Sequence, residues 1–302
     1  MSSGLTLLVD APSLIYRAFF STPDTVRAPD GQPVNGAHGF LGMLARLVGD
    51  HDPDAICCAA DEDWRPEWRV KLIESYKTHR TEPGSVQQQA DQHLAIQMPI
   101  VYGLLRQCGI QVIGHPGYEA EDVIGSLTRR ASGRIAIVSG DRDLFQLVRD
   151  PDVFVLYPKR GVSVMDRVDE GYISSRFGIP GRAYLDYAVL RGDPSDGLPG
   201  VRGIGEKMAA SLVTKYGDLE GVIAAAEGGS GIGLERVRRD LDYVRRALKV
   251  VTIASNLPLE EVDLTRPRSE PDGAVLAVAE RYGLRGAISR LARALVGAAN
   301  GR

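Results

Sequence analysis

A short apolar run that ends on a carboxylate, with a helical pattern directly behind it, recurs along this 302-residue chain and leaves it few folds to adopt. The plainest case is Ile135-Ala136-Ile137-Val138, of strand length, broken by Ser139-Gly140, followed by Asp141 and Asp143, with helical apolar spacing from Leu144. Leu5 to Val9 likewise ends on Asp10 before the pattern Leu14 to Phe20, and Ala55 to Ala60 ends on Asp61-Glu62-Asp63. Runs this uniformly apolar, alternating with helices, belong to a mostly parallel sheet covered on both faces. Such a sheet gathers its strand ends along one edge, and ligands bind in the crevice outside them. Taken singly, Asp141 and Asp143 serve equally well as turn and N-cap residues. Their recurrence at strand ends favours a shared site.

The remaining elements fit this plan. Helices are expected over about 36–48 and 92–107, a third strand over 111–113, and shorter edge strands over 153–156 and 162–164. Gly117-Tyr118-Glu119-Ala120-Glu121-Asp122 opens a helix to about Ala131. Its acids complement the helix dipole, but Glu119 and Asp122 share one face, and their repulsion asks for a nearby cation. Between Trp64 and Asp91, Arg65, Trp68, Arg69, Lys71, Tyr76, Lys77 and Arg80 read as an insertion outside the core. Basic residues interleaved with aromatics suit phosphates and unpaired bases, although a solvated helix with snorkelling side chains has the same composition. From about Asp169 the pattern is helical to the end, around a loop that carries Asp193 and Asp196. The stretch Leu198-Pro199-Gly200-Val201-Arg202-Gly203-Ile204-Gly205-Glu206-Lys207 leads directly into a helix, where backbone N–H groups can receive a phosphate. A plain tight turn is the alternative; Arg236, Arg238, Arg239, Arg245 and Arg246 downstream read mostly as a solvated face.

The acids so assembled are Asp10, Asp61, Glu119, Glu121, Asp122, Asp141, Asp143, Asp193 and Asp196. Gathered and buried, they would neutralise one another by protonation unless cations held them charged. An oxygen-only donor set selects Mg²⁺ or Mn²⁺ over zinc, and two such ions about 3.5–4 Å apart can activate water and neutralise the leaving oxygen of a phosphodiester. The net charge of −3 therefore excludes no polyanionic partner, since setting the nine carboxylates against bound cations leaves +6 elsewhere. No Ser/His/Asp arrangement, phosphate-binding P-loop or dinucleotide fingerprint competes. Cys57, Cys58 and Cys108 lack metal-ligand spacing and read as reduced core residues; with no signal segment or membrane span in the sequence, cytoplasmic residence is expected.

Leu8-Val9-Asp10 with Tyr16-Arg17-Ala18, Tyr76-Lys77-x-x-Arg80, Gly117 to Asp122, Gly140 to Leu144, and Gly192-Asp193-x-Ser195-Asp196-x-Leu198-Pro199-Gly200 through Lys207 together resemble the bacterial 5'-nuclease family. That family comprises flap endonucleases and the 5'→3' exonuclease domain of DNA polymerase I, and the resemblance covers nearly the whole chain in order. It implies a PIN-like three-layer α/β core over 1–168, with a helical arch at about 64–93, and an all-helical DNA-binding domain over 169–302 whose helix-hairpin-helix clamp spans about 190–216. It also implies that Asp10, Asp61, Glu119, Glu121, Asp141, Asp143 and Asp193 hold two or three Mg²⁺ or Mn²⁺ ions, with Asp122 and Asp196 as outer members. Lys77 and Arg80 would contact the scissile phosphate, Arg17 nearby phosphates, and Tyr76 a base; Gly200, Gly203, Gly205 and Lys207 would grip a duplex backbone around a K⁺ ion.

Several positions depart from the family pattern: Glu121 for Asp, Gly197 for Asn, Met208 for Thr, and a loop after Asp61 one residue longer, which makes Asp63 an alternative ligand. The resemblance implies a stand-alone, monomeric, nucleoid-associated enzyme that cuts 5' flaps, nicks and RNA-primer remnants in replication and repair. A DNA-structure binder without nuclease activity and a single-strand ribonuclease on the same core are the competing readings.

Overall fold

In a computed structural model that describes residues 4–81, 84 and 86–297, the strands are β1 (Leu5–Asp10), β2 (Ala55–Ala59), β3 (Gln111–Ile113), β4 (Arg134–Val138), β5 (Val153–Arg160) and β6 (Val164–Val168). They form one sheet in the order β3-β2-β1-β4-β5-β6, parallel except for the hairpin of β5 with β6. Helices α1 (Ala11–Ser21), α2 (Asn35–His51), α3 (Glu67–Leu72), α4 (Val86–Gln107) and α5 (Ala120–Arg130) lie between the first four strands. Then come α6 (Glu170–Phe177), α7 (Tyr184–Arg191), α8 (Glu206–Tyr216), α9 (Leu219–Gly228), α10 (Ile232–Arg239), α11 (Leu241–Val251), α12 (Gly273–Arg281) and α13 (Arg285–Val296). No helix among the described residues is long and apolar enough to cross a membrane.

The unbroken apolar strands follow from burial on both sides. Leu8, Cys57, Ile135, Ile137 and Val155 pack into a core with α5 and α7–α11, whereas their alternating neighbours Leu7, Val9, Cys58, Ala136 and Val138 pack with α1, α2 and α4. Cys57 and Cys58 are free thiols on opposite faces of β2.

Three expectations need correction. The strand expected over 162–164 starts only at Val164, because β5 runs on to Arg160 and residues 161–163 form the turn of a hairpin. The insertion 64–93 is not wholly outside the core: Arg69, Ile73 and Tyr76 are buried, and α4 starts at Val86, ahead of its expected start; residues 82, 83 and 85 lie outside the described residues. The helices of 169–302 do not form one body, since α13 packs on α2 and α12 joins that face, opposite to α7–α11; residues 298–302 lie outside the described residues.

Leu291 of α13, fully buried in this second face, provides the check on that assignment. Leu291→Ala should destabilise the protein by roughly 2–5 kcal/mol in denaturant titration, with a single transition still observed. A loss under 0.5 kcal/mol would mean that α13 does not belong to the core.

Candidate active site

The order of the sheet sets the location of the site. From β1 the chain winds outward through β2 and β3, then returns to place β4 on the other side of β1, so the carboxyl ends of β1 and β4 flank the switch in winding direction. Asp10 closes β1 and caps α1, accepting from Ser13 N at 3.2 Å and from Ser139 Oγ at 2.5 Å. Asp141 and Asp143 follow β4; Asp141 N donates to Ser139 Oγ at 2.9 Å, and Asp141 Oδ1 accepts from Asp143 N at 2.8 Å. One Ser139 hydroxyl thus ties the two strand ends together. Asp61, beyond β2, accepts from Ala120 N at 2.7 Å, which fixes it against the start of α5. Asp63 instead accepts from Arg65 N at 3.1 Å within its own turn, and Asp61, not Asp63, lines the cavity.

Glu121, Asp141 and Asp143 bring one oxygen each within 4.8 Å of one another. Beside them opens a cavity of about 990 Å³ lined by Asp10, Asp61, Glu119, Glu121 and Asp141, with Arg17, Lys77 and Arg80 on its wall. Burial, then Asp61 and Asp141, raises Asp10 to about 7 against the help of Ser139, and burial followed by Glu119 raises Asp61 to about 6 despite Lys77. Burial and Glu119 push Glu121 well above the carboxylate range, and burial with Asp141, Asp196 and Asp193 does the same to Asp143. No Lys or Arg among the described residues lies within ion-pair distance of Asp10, Asp61, Asp141 or Asp143. Desolvated acids without a protein cation, all presenting oxygen, fit hard divalent ions.

The acids on α5 are treated differently. Arg69, fully buried on α3, sends Nη1 to Glu119 Oε1 at 2.7 Å and Glu121 Oε1 at 3.3 Å, Nη2 to Asp122 Oδ1 at 2.8 Å, and Nε to the Val250 carbonyl at 3.1 Å. Lys77 Nζ closes on Glu119 Oε2, and Tyr76 OH donates to Glu119 Oε1 at 2.6 Å. Burial alone would raise Glu119, but Lys77 and Arg69 outweigh it and hold the carboxyl below its usual range. The cation that the Glu119–Asp122 face asks for is therefore, in large part, Arg69. The sequence reading put Arg69 in an insertion outside the core, among residues suited to phosphates or to a solvated helix; its one signal was its position amid Trp68, Ile73 and Tyr76, an apolar frame for a charge.

Two expected roles change accordingly. Asp122 has both oxygens occupied, by Arg69, Ala254 N at 2.8 Å and Glu119 N at 3.2 Å, and is fully buried, so it braces α5 and is not disposed to bind an ion. Tyr76 is 2% exposed and cannot present its ring to a base.

The loop acids come next. Asp193 caps the short helical turn 194–196 through Ser195 N at 2.8 Å and meets Arg191 at 3.3 Å. Asp196 takes Arg80 Nη2 at 2.6 Å; burial, then Asp141 against Lys77, leaves it raised to about 6. Neither lines the cavity, although both are close enough to raise Asp143. The same loop seats the arch base: Lys77 N donates to Asp196 O at 2.9 Å and Ser75 Oγ to Gly197 O at 2.7 Å. A Cβ on Gly197, whose φ is +69°, would lie 2.0 Å from the Ser75 carbonyl oxygen, which is why an Asn there would not fit this arrangement.

The glycine stretch forms a second, shallow cavity ringed by Pro199 to Gly205. Tyr243 OH accepts from Gly200 N at 2.9 Å, and Arg236 Nη1 donates to Gly203 O at 2.6 Å, fixing the loop from α10 and α11. Among the described residues, the N–H groups of Gly205, Glu206 and Lys207 at the start of α8 have no protein acceptor, and Lys207 is exposed beside them.

Two family models match the chain: 5'-3' exonuclease, N-terminal resolvase-like domain, over residues 5–178, and 5'-3' exonuclease, C-terminal SAM fold, over 179–272. A 5'-3' exonuclease of Streptomyces coelicolor is 45% identical over 295 residues, covering 94% of this chain and 98% of that protein. The thermostable DNA polymerase I of Thermus thermophilus is 32% identical over 292 residues, covering 95% of this chain but 32% of the polymerase. A bacteriophage T5 flap endonuclease solved with DNA and metal ions shares the fold, with a TM-score of 0.68 and 13% identity over 96% of this chain and 97% of that one.

Removing the Arg69 guanidinium leaves Glu121 and Asp122 without an ion-pair partner and Glu119 with Lys77 alone. Arg69→Met should cost roughly 3–5 kcal/mol and lower Tm by about 10 °C in calorimetry. Arg69→Lys should recover little, since one ammonium lacks the fork that spans Glu119, Glu121 and Asp122. Parent-like stability of the Met variant would refute this role.

Proposed function

The chain belongs to the 5'-3' exonuclease family, and we propose that within it the protein is a structure-specific 5' nuclease that hydrolyses DNA at flaps, nicks and 5' ends, RNA-primer strands included. The observation that carries this reading is the convergence of Glu121, Asp141 and Asp143 within 4.8 Å beside a cavity that has acids at its floor and Arg17 and Arg80 on its wall. Asp10, Asp61, Glu119, Glu121, Asp141 and Asp143 would hold Mg²⁺ or Mn²⁺, with Asp193 and Asp196 as outer members that add negative charge beside Asp143. When bound, such ions acidify water and offset charge on a phosphodiester undergoing hydrolysis.

The chain's own residues supply binding and orientation. Arg80, half-buried at the cavity and held on Asp196, and Arg17, beside Gly140, offer guanidinium groups to the phosphate whose bond is cut. Lys77, fixed between Glu119 and the arch base, keeps a positive charge at the same wall and orients Glu119 by ion pairing. The exposed Lys207 and the open N–H groups of α8 suit a duplex backbone, and the ring of backbone from Pro199 to Gly205 suits a K⁺ ion between loop and phosphate. A single-strand ribonuclease would have no use for this second, duplex-facing feature.

Asp141→Ala and Asp143→Ala should each lower cleavage of a 5'-flap substrate by roughly a thousandfold while changing DNA affinity by no more than a few-fold. Near-parent cleavage in both would sink the site. Lys207→Ala should weaken binding to all duplex sequences alike and flatten the salt dependence by about one ion; an unchanged slope in a binding titration would reduce the loop to a turn.

A further inference from the structure

We propose that Phe20 and Trp64 form a stacking platform for the unpaired bases of a 5' strand at the acid cavity, an inference that rests on the nuclease reading above. Among the phenylalanines and tryptophans, Phe20 at 53% and Trp64 at 38% are the two that are more than a third exposed, and both line the cavity that contains Asp10, Asp61 and Asp141. Large apolar rings left in water are unfavourable, and two of them facing one charged cavity mark a binding surface.

Each ring is held ready. Phe20, at the end of α1, packs on Tyr16 with centroids 4.9 Å apart and edge-on to Phe19 at 5.2 Å, and Phe19 in turn stacks on His93 at 5.9 Å. Its inner side is braced while half its surface stays open. Trp64 follows Asp61 by three residues, and its carbonyl accepts from Lys77 Nζ at 3.5 Å, so its backbone is anchored to the residue that pairs with Glu119. Arg17 and Arg80 on the same wall complete the pairing of cations with aromatic faces that unpaired nucleic acid strands require. Every base has a π-face, so such a platform reads strand structure without reading sequence. Bases inside a duplex are already stacked and gain nothing from it.

The chain has two tryptophans, and Trp68, with its Nε1 donating to Gly117 O at 3.1 Å, is the less exposed, so quenching by a stacked base reports mainly on Trp64. The full chain is titrated in EDTA, which prevents cleavage, with a 5'-tailed duplex, the same duplex with abasic sites throughout the tail, and a blunt duplex. The tailed duplex should quench the emission and bind more tightly than the abasic-tailed form by about 5- to 100-fold. Trp64→Ala and Phe20→Ala should each remove much of that advantage without altering blunt-duplex affinity, and Trp64→Tyr should restore it. Equal affinity for base-bearing and abasic tails overturns the platform whatever the variants do; if the protein still cuts tailed duplex with Mn²⁺, the proposed function stands without it. A chain that neither binds nor cuts the tailed duplex overturns both.

Discussion

The ion pairs of Arg69 are the interaction on which the rest of the site depends. Three carboxylates at the start of α5 sit in apolar surroundings, where each would otherwise take up a proton or push the helix outward. One guanidinium meets all three and reaches the carbonyl of Val250 as well, so α3, α5 and α11 are drawn to a single point. Such a network is a poor source of net stability, because the cost of desolvating four charges is large. What it provides is position: the backbone that carries Glu119 and Glu121 is fixed before any other cation arrives.

The acids of the site therefore divide into two sets with different partners. Glu119 and Asp122 are satisfied by Arg69, Lys77, Tyr76 and backbone N–H groups, whereas the carboxylates of Asp10, Asp61 and Asp141 accept only from hydroxyl and backbone donors, and Asp143 has no ion-pair partner among the described residues. Glu121 stands between, touching Arg69 on one side and grouped with Asp141 and Asp143 on the other. Sheet topology explains the second set, since β1 and β4 are neighbours and Ser139 bridges their ends. A pocket built this way is asymmetric, half neutralised by the protein and half left for hard cations.

The strands and the strand-end acids were legible in the sequence because burial on two faces forces contiguous apolar runs, and nothing else about strands 5–10 or 134–138 competes with that signal. Arg69 was not legible as a buried residue: its partners stand 50 to 53 positions further on, and a cation in a polar, aromatic-rich stretch has the same composition whether it is solvated or enclosed. Asp122 was misread for the related reason that sequence counts carboxylates without showing what occupies their oxygens. Helices α12 and α13 carry an apolar face in plain view, yet periodicity cannot say which surface receives it, and only the fold places α13 on α2 and α12 beside it against α4. Gly197 looked like a departure from a pattern; the nearby Ser75 carbonyl gives it a steric cause.

That contact between Gly197 and Ser75 leaves no slack between two parts of the chain that are more than a hundred residues apart in sequence. The loop that begins at Gly192 continues directly into the glycine ring on one side, and on the other it holds the backbone of Lys77, itself in a left-handed conformation at φ 51°. Main chain meets main chain at this point, so neither segment can approach the other more closely. One main-chain junction at residues 196–197 thereby sets the placement of Lys77, and with it the charge that orients Glu119.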